Sequence, residues 1–142
     1  MTSTVETRTV EELMTSGPTS IASDAMAVEA ARRMLSEDVG SLPVVDEDRL
    51  VGMVTDRDLV LQVMAKDLDP SKVPISEVCT EDPVTAEPGE PLDEALKRMA
   101  KEQVRRLPVV SDGRLVGILA QADIARAAAV ESTGKLVEEI SE

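Results

Sequence analysis

The chain repeats itself at a spacing of 65 residues. Residues 10–60 lie over 75–125 without a gap, and 18 of the 51 paired positions are identical, where composition alone would give about 3. The identities are grouped. Leu42-Pro43-Val44-Val45 returns as Leu107-Pro108-Val109-Val110, and Arg49-Leu50-Val51-Gly52 returns as Arg114-Leu115-Val116-Gly117. Pro18, Met34 and Asp58 return as Pro83, Met99 and Asp123. Two like units carry like apolar faces, which they can bury against each other, leaving paired clefts rather than one.

With 142 residues, the chain has room for one compact domain or two packed half-domains. It contains no Phe, Tyr or Trp, so its core must be aliphatic. The same absence removes aromatic platforms for stacking single-stranded bases. Its 28 acidic and 15 basic residues give a net charge of −13, which disfavours nucleic acid and anionic membranes as partners. There is no His and Cys79 is the only Cys. This excludes Ser-His-Asp and Cys-His nucleophiles, and zinc, haem or iron–sulfur sites built from such ligands within one chain. With no intrachain disulfide possible, the expected location is a reducing cytoplasm. Residues 1–17 carry no apolar run of signal-peptide length, and no later stretch reaches the roughly 18 apolar residues of a membrane span.

Residues 1–8 read as a loose polar lead. Thr9 and Glu12 form a capping-box pattern for a short helix over 10–14, stopped by Gly17-Pro18. A short strand is expected within 19–22. Ser23 or Asp24 then caps a helix whose apolar face is Val28, Ala31, Met34 and Leu35, ending at Val39-Gly40. Strands over 42–45 and 50–55 form a hairpin, and Asp56 opens a helix reaching about Lys66. The second copy follows after a linker at 67–74. It has a strand at 84–86, Pro91 as the first helical residue and a helical face of Leu92, Ala95, Leu96, Met99 and Ala100. Strands at 107–111 and 114–119 turn at Asp112-Gly113, and a helix starts near Gln121. Gly134 is expected to interrupt it before a last acidic helix. The fold class is therefore α/β (α+β), each unit being β-α-β-β-α. Domain one spans 9–66, domain two 75–130, and an acidic tail 131–142.

This order, the Leu-Pro-Val-Val strand, and Gly-x-x-Thr-x-x-Asp opening the last helix resemble the cystathionine-β-synthase (CBS) domain. Two copies resemble a Bateman module, over residues 10–125. The style of Thr55-Asp56-Arg57-Asp58 and Val104-Arg105-Arg106-Leu107 is most similar to free-standing bacterial pairs, including actinobacterial stress and hypoxic-response proteins. The resemblance implies two repeats packed as a pseudo-two-fold pair that bind AMP, ADP, ATP (with or without Mg²⁺) or S-adenosylmethionine. It implies that Asp58 and Asp123 hold ribose hydroxyls and that Thr55, Arg57, Arg105 and Arg106 face phosphates. A carboxylate can accept from two vicinal hydroxyls, and a helix N-terminus suits a phosphate. The base would meet Thr85, Ala86 and Val104 in the Asp58 cleft, and Ser20, Ile21 and Val39 in the Asp123 cleft. Four copies, as a homodimer, would form a flat disc.

The second copy departs from the pattern, because Ala120 stands where Thr55 stands in the first. One hydroxyl bond, about 1 kcal/mol or fivefold in affinity, is absent there. Bland readings stand beside these. Asp58 and Asp123 suit helix N-termini without any ligand, Thr55 suits an N-cap, and Arg105-Arg106 suits a solvated pair. Gly52 and Gly117 read as backbone requirements of the hairpins, and Cys79, at the position of Met14, as a small buried hydrophobe. Two functions remain open. One is a stand-alone regulatory, non-enzymatic module that senses adenosine nucleotides and signals to an unknown downstream protein. The other is a stress or interaction protein with this fold and no physiological nucleotide. No nucleophile-plus-base constellation supports an enzyme. The aliphatic stripes 28–35 and 92–100 exceed the needs of one small core and predict a homodimer, in which Leu136, Val137 and Ile140 of the tail could dock.

Overall fold

The computed structural model describes residues 8–141, with side chains through 131. The elements run α1 (Val10–Leu13), β1 (Thr15–Ser16), β2 (Ile21–Ala22), α2 (Ala27–Glu37), β3 (Ser41–Asp46), β4 (Arg49–Thr55) and α3 (Asp56–Leu59). α3 continues as a π-helical turn, Val60–Met64, and a 3₁₀ turn follows at Ile75–Glu77. Then come β5 (Thr80–Glu81), α4 (Leu92–Glu102), β6 (Arg106–Ser111), β7 (Arg114–Ala120) and α5 (Gln121–Ser141). The loose lead expected at 1–8 and the docking role of Leu136, Val137 and Ile140 fall outside the described residues, apart from Arg8.

The chain forms two compact units whose limits differ from the repeat limits. One holds Thr19–Pro83 with Gly113–Leu115; the other holds the described residues up to Pro18, Val84–Asp112 and those from Val116 onward. In the first unit β2 runs parallel to β3, β3 antiparallel to β4, and β5 antiparallel to β4. Its core is Ile21, Ala27, Ala30, Met34, Leu42, Val44, Val54, Val63, Val73, Ile75 and Val78. In the second unit β1 pairs with β7, and β6 with β7. Its core is Val10, Ala86, Leu92, Ala95, Met99, Leu107, Val109, Leu119 and Ile124. Position for position, 65 residues apart, eight of these core sites coincide. The exchange of lead segments is visible in them: Val10 opens repeat one yet fills the core of the second unit, and Ile75 opens repeat two yet fills that of the first.

Backbone bonds secure that exchange. Neither long helix has a side-chain cap, because Met26 and Pro91 occupy the N-cap positions. The Ala27 amide donates to Val73 O at 2.7 Å and the Leu92 amide to Arg8 O at 2.8 Å. The cap expected from Ser23 or Asp24 is thus replaced by the passing backbone, and Pro91 lies one residue outside the helix rather than in it. The two glycines are required by close approach, not by turn conformation. A Cβ on Gly52 would lie 2.7 Å from Thr80 O, where β5 crosses, and one on Gly117 would lie 3.0 Å from Thr15 O, where β1 crosses. At Asp112-Gly113 the expected tight turn is present, with φ of 53° and 79°, the primed hairpin geometry.

Other expectations need correction. The buried face of α2 is Ala27, Ala30 and Met34; Met34 belongs to the stripe read from the sequence, but Val28 is half-buried, Ala31 exposed and Leu35 84% exposed, and the core is filled instead by Ala27 and Ala30, one position earlier. Ala100 is likewise exposed on α4. Residues 84–86 supply a single parallel bridge, Ala86 to Val109, rather than a strand. The helix after Ala120 runs through Gly134 without a break, since one glycine costs only about 1 kcal/mol in a helix.

Truncating the fully buried Leu42 to Ala should destabilise the protein by about 2–5 kcal/mol, whereas Leu35→Ala should stay within about 0.5 kcal/mol. Urea unfolding of the two variants would check this; equal effects would refute the one-position shift of the buried face.

Candidate functional site

In both units the turn before the central strand docks against the start of the helix after the hairpin. The Asp56 amide donates to Gly40 O at 2.9 Å, and the Gln121 amide to Arg105 O at 2.8 Å. These pairs are 65 residues apart in each member. They set Val39-Gly40 beside Thr55–Asp58 in one unit and Val104-Arg105 beside Ala120–Asp123 in the other. Val39 and Val104 also pack on their own unit's core.

Thr55 and Asp58 first serve each other. The Asp58 amide donates to Thr55 Oγ1 at 3.0 Å, and the Thr55 amide donates to Asp58 Oδ2 at 2.9 Å, a reciprocal capping box. Asp58 Oδ1 has no hydrogen bond among the described residues, so one carboxylate oxygen of this half-buried group remains available. Asp56 and Asp58 both sit in the first helical turn. Arg57 is exposed, and its amide is held by Asp56 Oδ1 at 2.8 Å.

The second unit is built differently at this place. Ala120 offers no cap, and the Asp123 carboxylate instead forms an ion pair with Arg126 one turn along α5. Arg106 is half-buried; desolvation pushes its guanidinium below the usual arginine range, and the Asp123 carboxylate opposes that shift. Arg105 is exposed. Two cations, Arg106 and Arg126, thus meet a single carboxylate, against the acidic charge of the whole chain. Arg126 was not legible as part of this group, since position 61 in the first copy is Leu; only its place three residues after Asp123 could have suggested it.

The short segments assigned to the base are placed as follows. Ile21 and Ala86 are 2% and 1% exposed and belong to the two cores, so what they can offer a ligand is backbone. Ser20 and Thr85 are half-buried. Arg33 donates to Ser20 O, and Arg98 Nη1 donates to Thr85 O at 2.8 Å. Arg98 also forms a bidentate pair with Glu90, at 2.9 and 2.8 Å. That pair, with the Glu87 amide donating to Glu90 as well, holds the Glu90 carboxyl below its ordinary range and raises the Arg98 guanidinium.

Two hollows lie in the first unit, and neither is lined by Ser20, Val39, Thr55 or Asp58. A groove of about 610 Å³ runs between α2 and the Val60–Met64 turn, lined by Val28, Ala31, Leu59, Val60, Met64 and Leu68 among others. A hollow of about 410 Å³ is lined by Asp46, Cys79, Glu81 and Asp82 with apolar neighbours. Its charge is wrong for an anion. Burial, and then Glu81, push the Cys79 thiol up, which leaves it unreactive as a nucleophile.

Comparisons with known proteins give the family and the fold. The CBS domain model matches residues 10–65 and 75–130. Hypoxic response protein 1 of Mycobacterium tuberculosis is 40% identical over 119 residues, covering 83% of each chain. A crystal structure of that protein, described with two coordinated zinc ions, superposes with a TM-score of 0.78 at 39% identity, covering 84% of this chain and 98% of the other. The CBS domain pair of MJ0100, in complex with 5′-methylthioadenosine and S-adenosylmethionine, gives a TM-score of 0.75 at 30% identity, covering 87% and 98%. CBSX2 in complex with AMP gives 0.76 at 28% identity, covering 87% and 98%. This chain has no His and one Cys, and among the described residues no three His, Cys, Asp or Glu are grouped to hold a metal.

The Glu90–Arg98 pair carries a pH signature. A depressed carboxyl contributes stability that is fully present above its ordinary pKa of 4.5 and is lost as pH falls through the depressed value. The stability gap between wild type and Glu90→Gln, measured by urea unfolding, should be constant near neutrality and close below about pH 4.5. A gap that widens on acidification would refute the assignment.

Proposed function

Because the chain belongs to the CBS domain family, we propose that it is a regulatory module that binds adenosine-type nucleotides and signals to a partner protein by a change of shape or stability. The observation that carries this reading is the helix-opening turn formed twice. Each turn is docked by one backbone bond, and each brings a half-buried carboxylate to a helix N-terminus. In the first unit Asp58 Oδ1 is left to accept a ribose hydroxyl, while the N-terminus of the following helix and Arg57 suit a phosphate. In the second, Arg106 and Arg126 meet Asp123 and the exposed Arg105 lies on the turn docked beside it, which suits a more highly charged ligand. Relatives crystallised with AMP and with S-adenosylmethionine support the ligand class, and Mg²⁺ would enter with ATP. The work is binding rather than catalysis, and the setting is the cytoplasm; a hypoxic-response relative supports a role under stress.

The exposed Val60, Met64 and Leu68 line the groove on the α2 side of the first unit. They form an apolar surface that the unit's own core does not use, and the homodimer belongs with this reading. Sedimentation should give twice the 15.2 kDa chain mass, and Met64→Glu with Leu68→Glu should return the monomer. A wild-type monomer at micromolar concentration would refute it.

One specific observation favours the other reading, a ligand-independent interaction protein: Thr55 and Asp58 satisfy each other, and Asp123 is already paired. Thermal melting with AMP, ADP, ATP and S-adenosylmethionine separates the two. A ligand at 100 times its dissociation constant adds about 2.7 kcal/mol. Asp58→Ala should weaken the binding ligand by about 1.5–3 kcal/mol, beyond the roughly 1 kcal/mol it removes from the cap itself. That cap loss appears without ligand, so affinity is read from the concentration dependence. No shift with any of the four at millimolar concentration would favour the interaction protein.

A further inference from the structure

Among the identities between the copies that neither core nor motif explains is the pair Arg33 and Arg98. Both lie on the solvent side of the first long helix of their unit, and both reach back 13 residues to a backbone carbonyl, Ser20 O and Thr85 O. The ion pair is not what they share. Arg98 has Glu90, but the equivalent position in the first copy is Ala25, and among the described residues Arg33 forms no ion pair. What both copies keep is the arginine-to-carbonyl bond.

That bond completes a clamp on a single peptide group. The Thr85 carbonyl takes the Arg98 guanidinium, while the amide of the same peptide, on Ala86, donates to Pro108 O at 3.0 Å. Ala86 O then accepts from Val110 at 2.9 Å. In the first copy Ile21 sits in parallel register with Val44, as Ala86 does with Val109. With both ends of the peptide plane held, the backbone that carries the Ser20 or Thr85 side chain is held too, and both are half-buried hydroxyls. The flanking residue is core, so the hydroxyl is the group this segment can present outward.

We propose that Arg98 and Arg33 are positioning residues that lock the peptide preceding Ala86 and Ile21, so that the Thr85 and Ser20 hydroxyls meet an adenosine ligand already oriented. The inference rests on the nucleotide-binding reading above. Glu90 makes the two copies unequal: it holds two nitrogens of Arg98, so the Thr85 segment is rigid before ligand arrives, whereas the Ser20 segment is held by an arginine without that anchor. Ordering a segment in advance lowers the cost of binding, and lysine cannot replace a guanidinium that bridges a carbonyl and a carboxylate.

The test uses the full chain in two arms. In the ligand-free protein, Arg98→Met should speed amide exchange at Ala86 and Val110 by about tenfold relative to Leu119 in the core of the same unit. Glu90→Gln should fall between, and Arg98→Lys should restore only part. In calorimetry with AMP, Arg98→Met should weaken one class of site by roughly fivefold to tenfold and leave the other; Arg33→Met should affect the opposite class. Exchange at Ala86 and Val110 that rises no more than at Leu119 overturns the clamp. AMP affinity within twofold of wild type in Arg98→Met, where wild type binds AMP, overturns the positioning role alone. Wild-type protein that binds neither AMP, ATP nor S-adenosylmethionine overturns the nucleotide reading and this role with it, while the exchange arm still reports whether the arginine orders the segment.

Discussion

Everything in this fold depends on helix N-termini being closed by backbone that arrives from the other repeat. A helix start exposes amides that need acceptors, and leaving a buried one unpaired costs about 1–3 kcal/mol. α2 and α4 begin after Met26 and Pro91, neither of which can cap. The acceptors are Val73 O and Arg8 O, carried in on the segments that lead into repeat two and repeat one. The same segments place Ile75 and Val10 in the cores and lay β5 and β1 over glycines where no side chain would fit. A single repeat cut at its sequence boundaries would lose an N-terminal closure, a core residue and an edge strand together. The tandem arrangement is therefore a folding requirement before it is a functional one.

Much of this was legible in the sequence because it is carried by local patterns. The hairpins followed from β-branched runs and the Asp112-Gly113 turn, and the Thr9–Glu12 and Thr55–Asp58 spacings marked helix starts. What escaped is what depends on distant partners. The cap of α2 could not be read because the acceptor is 46 residues away and is a carbonyl, which has no residue signature. The buried face of α2 was displaced by one position because Val28, Ala31 and Leu35 form as good a stripe as Ala27, Ala30 and Met34. The sequence cannot tell a core face from an exposed apolar one. The glycines were identified as necessary but for the wrong reason, since crossing strands leave no local trace.

The candidate site divides the same way. Asp58 and Thr55 were legible, and so was the missing hydroxyl at Ala120. Their mutual capping shows why a motif alone is ambiguous: the residues that suit a nucleotide are those that suit a helix start. The pairing of Arg126 with Asp123 and the carbonyl bonds of Arg33 and Arg98 had no signature in the sequence. Arginines on helical faces are ordinary, and their meaning lies in what they reach. For Arg33 and Arg98 the trace was present, as an identity that no core or motif required.

The two copies have drifted at the places that would set affinity, and the drift has a consistent sense. Position 40 is Gly and its counterpart 105 is Arg; position 55 is Thr and 120 is Ala; position 25 is Ala and 90 is Glu. The first copy keeps the hydroxyl and capping box, with little local positive charge. The second gives up the hydroxyl, gathers arginines around one carboxylate and stiffens its neighbouring segment through Glu90. In a chain of net charge −13, an anionic ligand must be drawn in by such a local cluster, because the global field repels it. Neutral or weakly charged adenosine compounds need no such help and depend more on hydrogen-bond completeness. Under the nucleotide-binding reading proposed above, these differences would separate the copies by ligand charge, the first suiting the less anionic member of the class and the second the more anionic one.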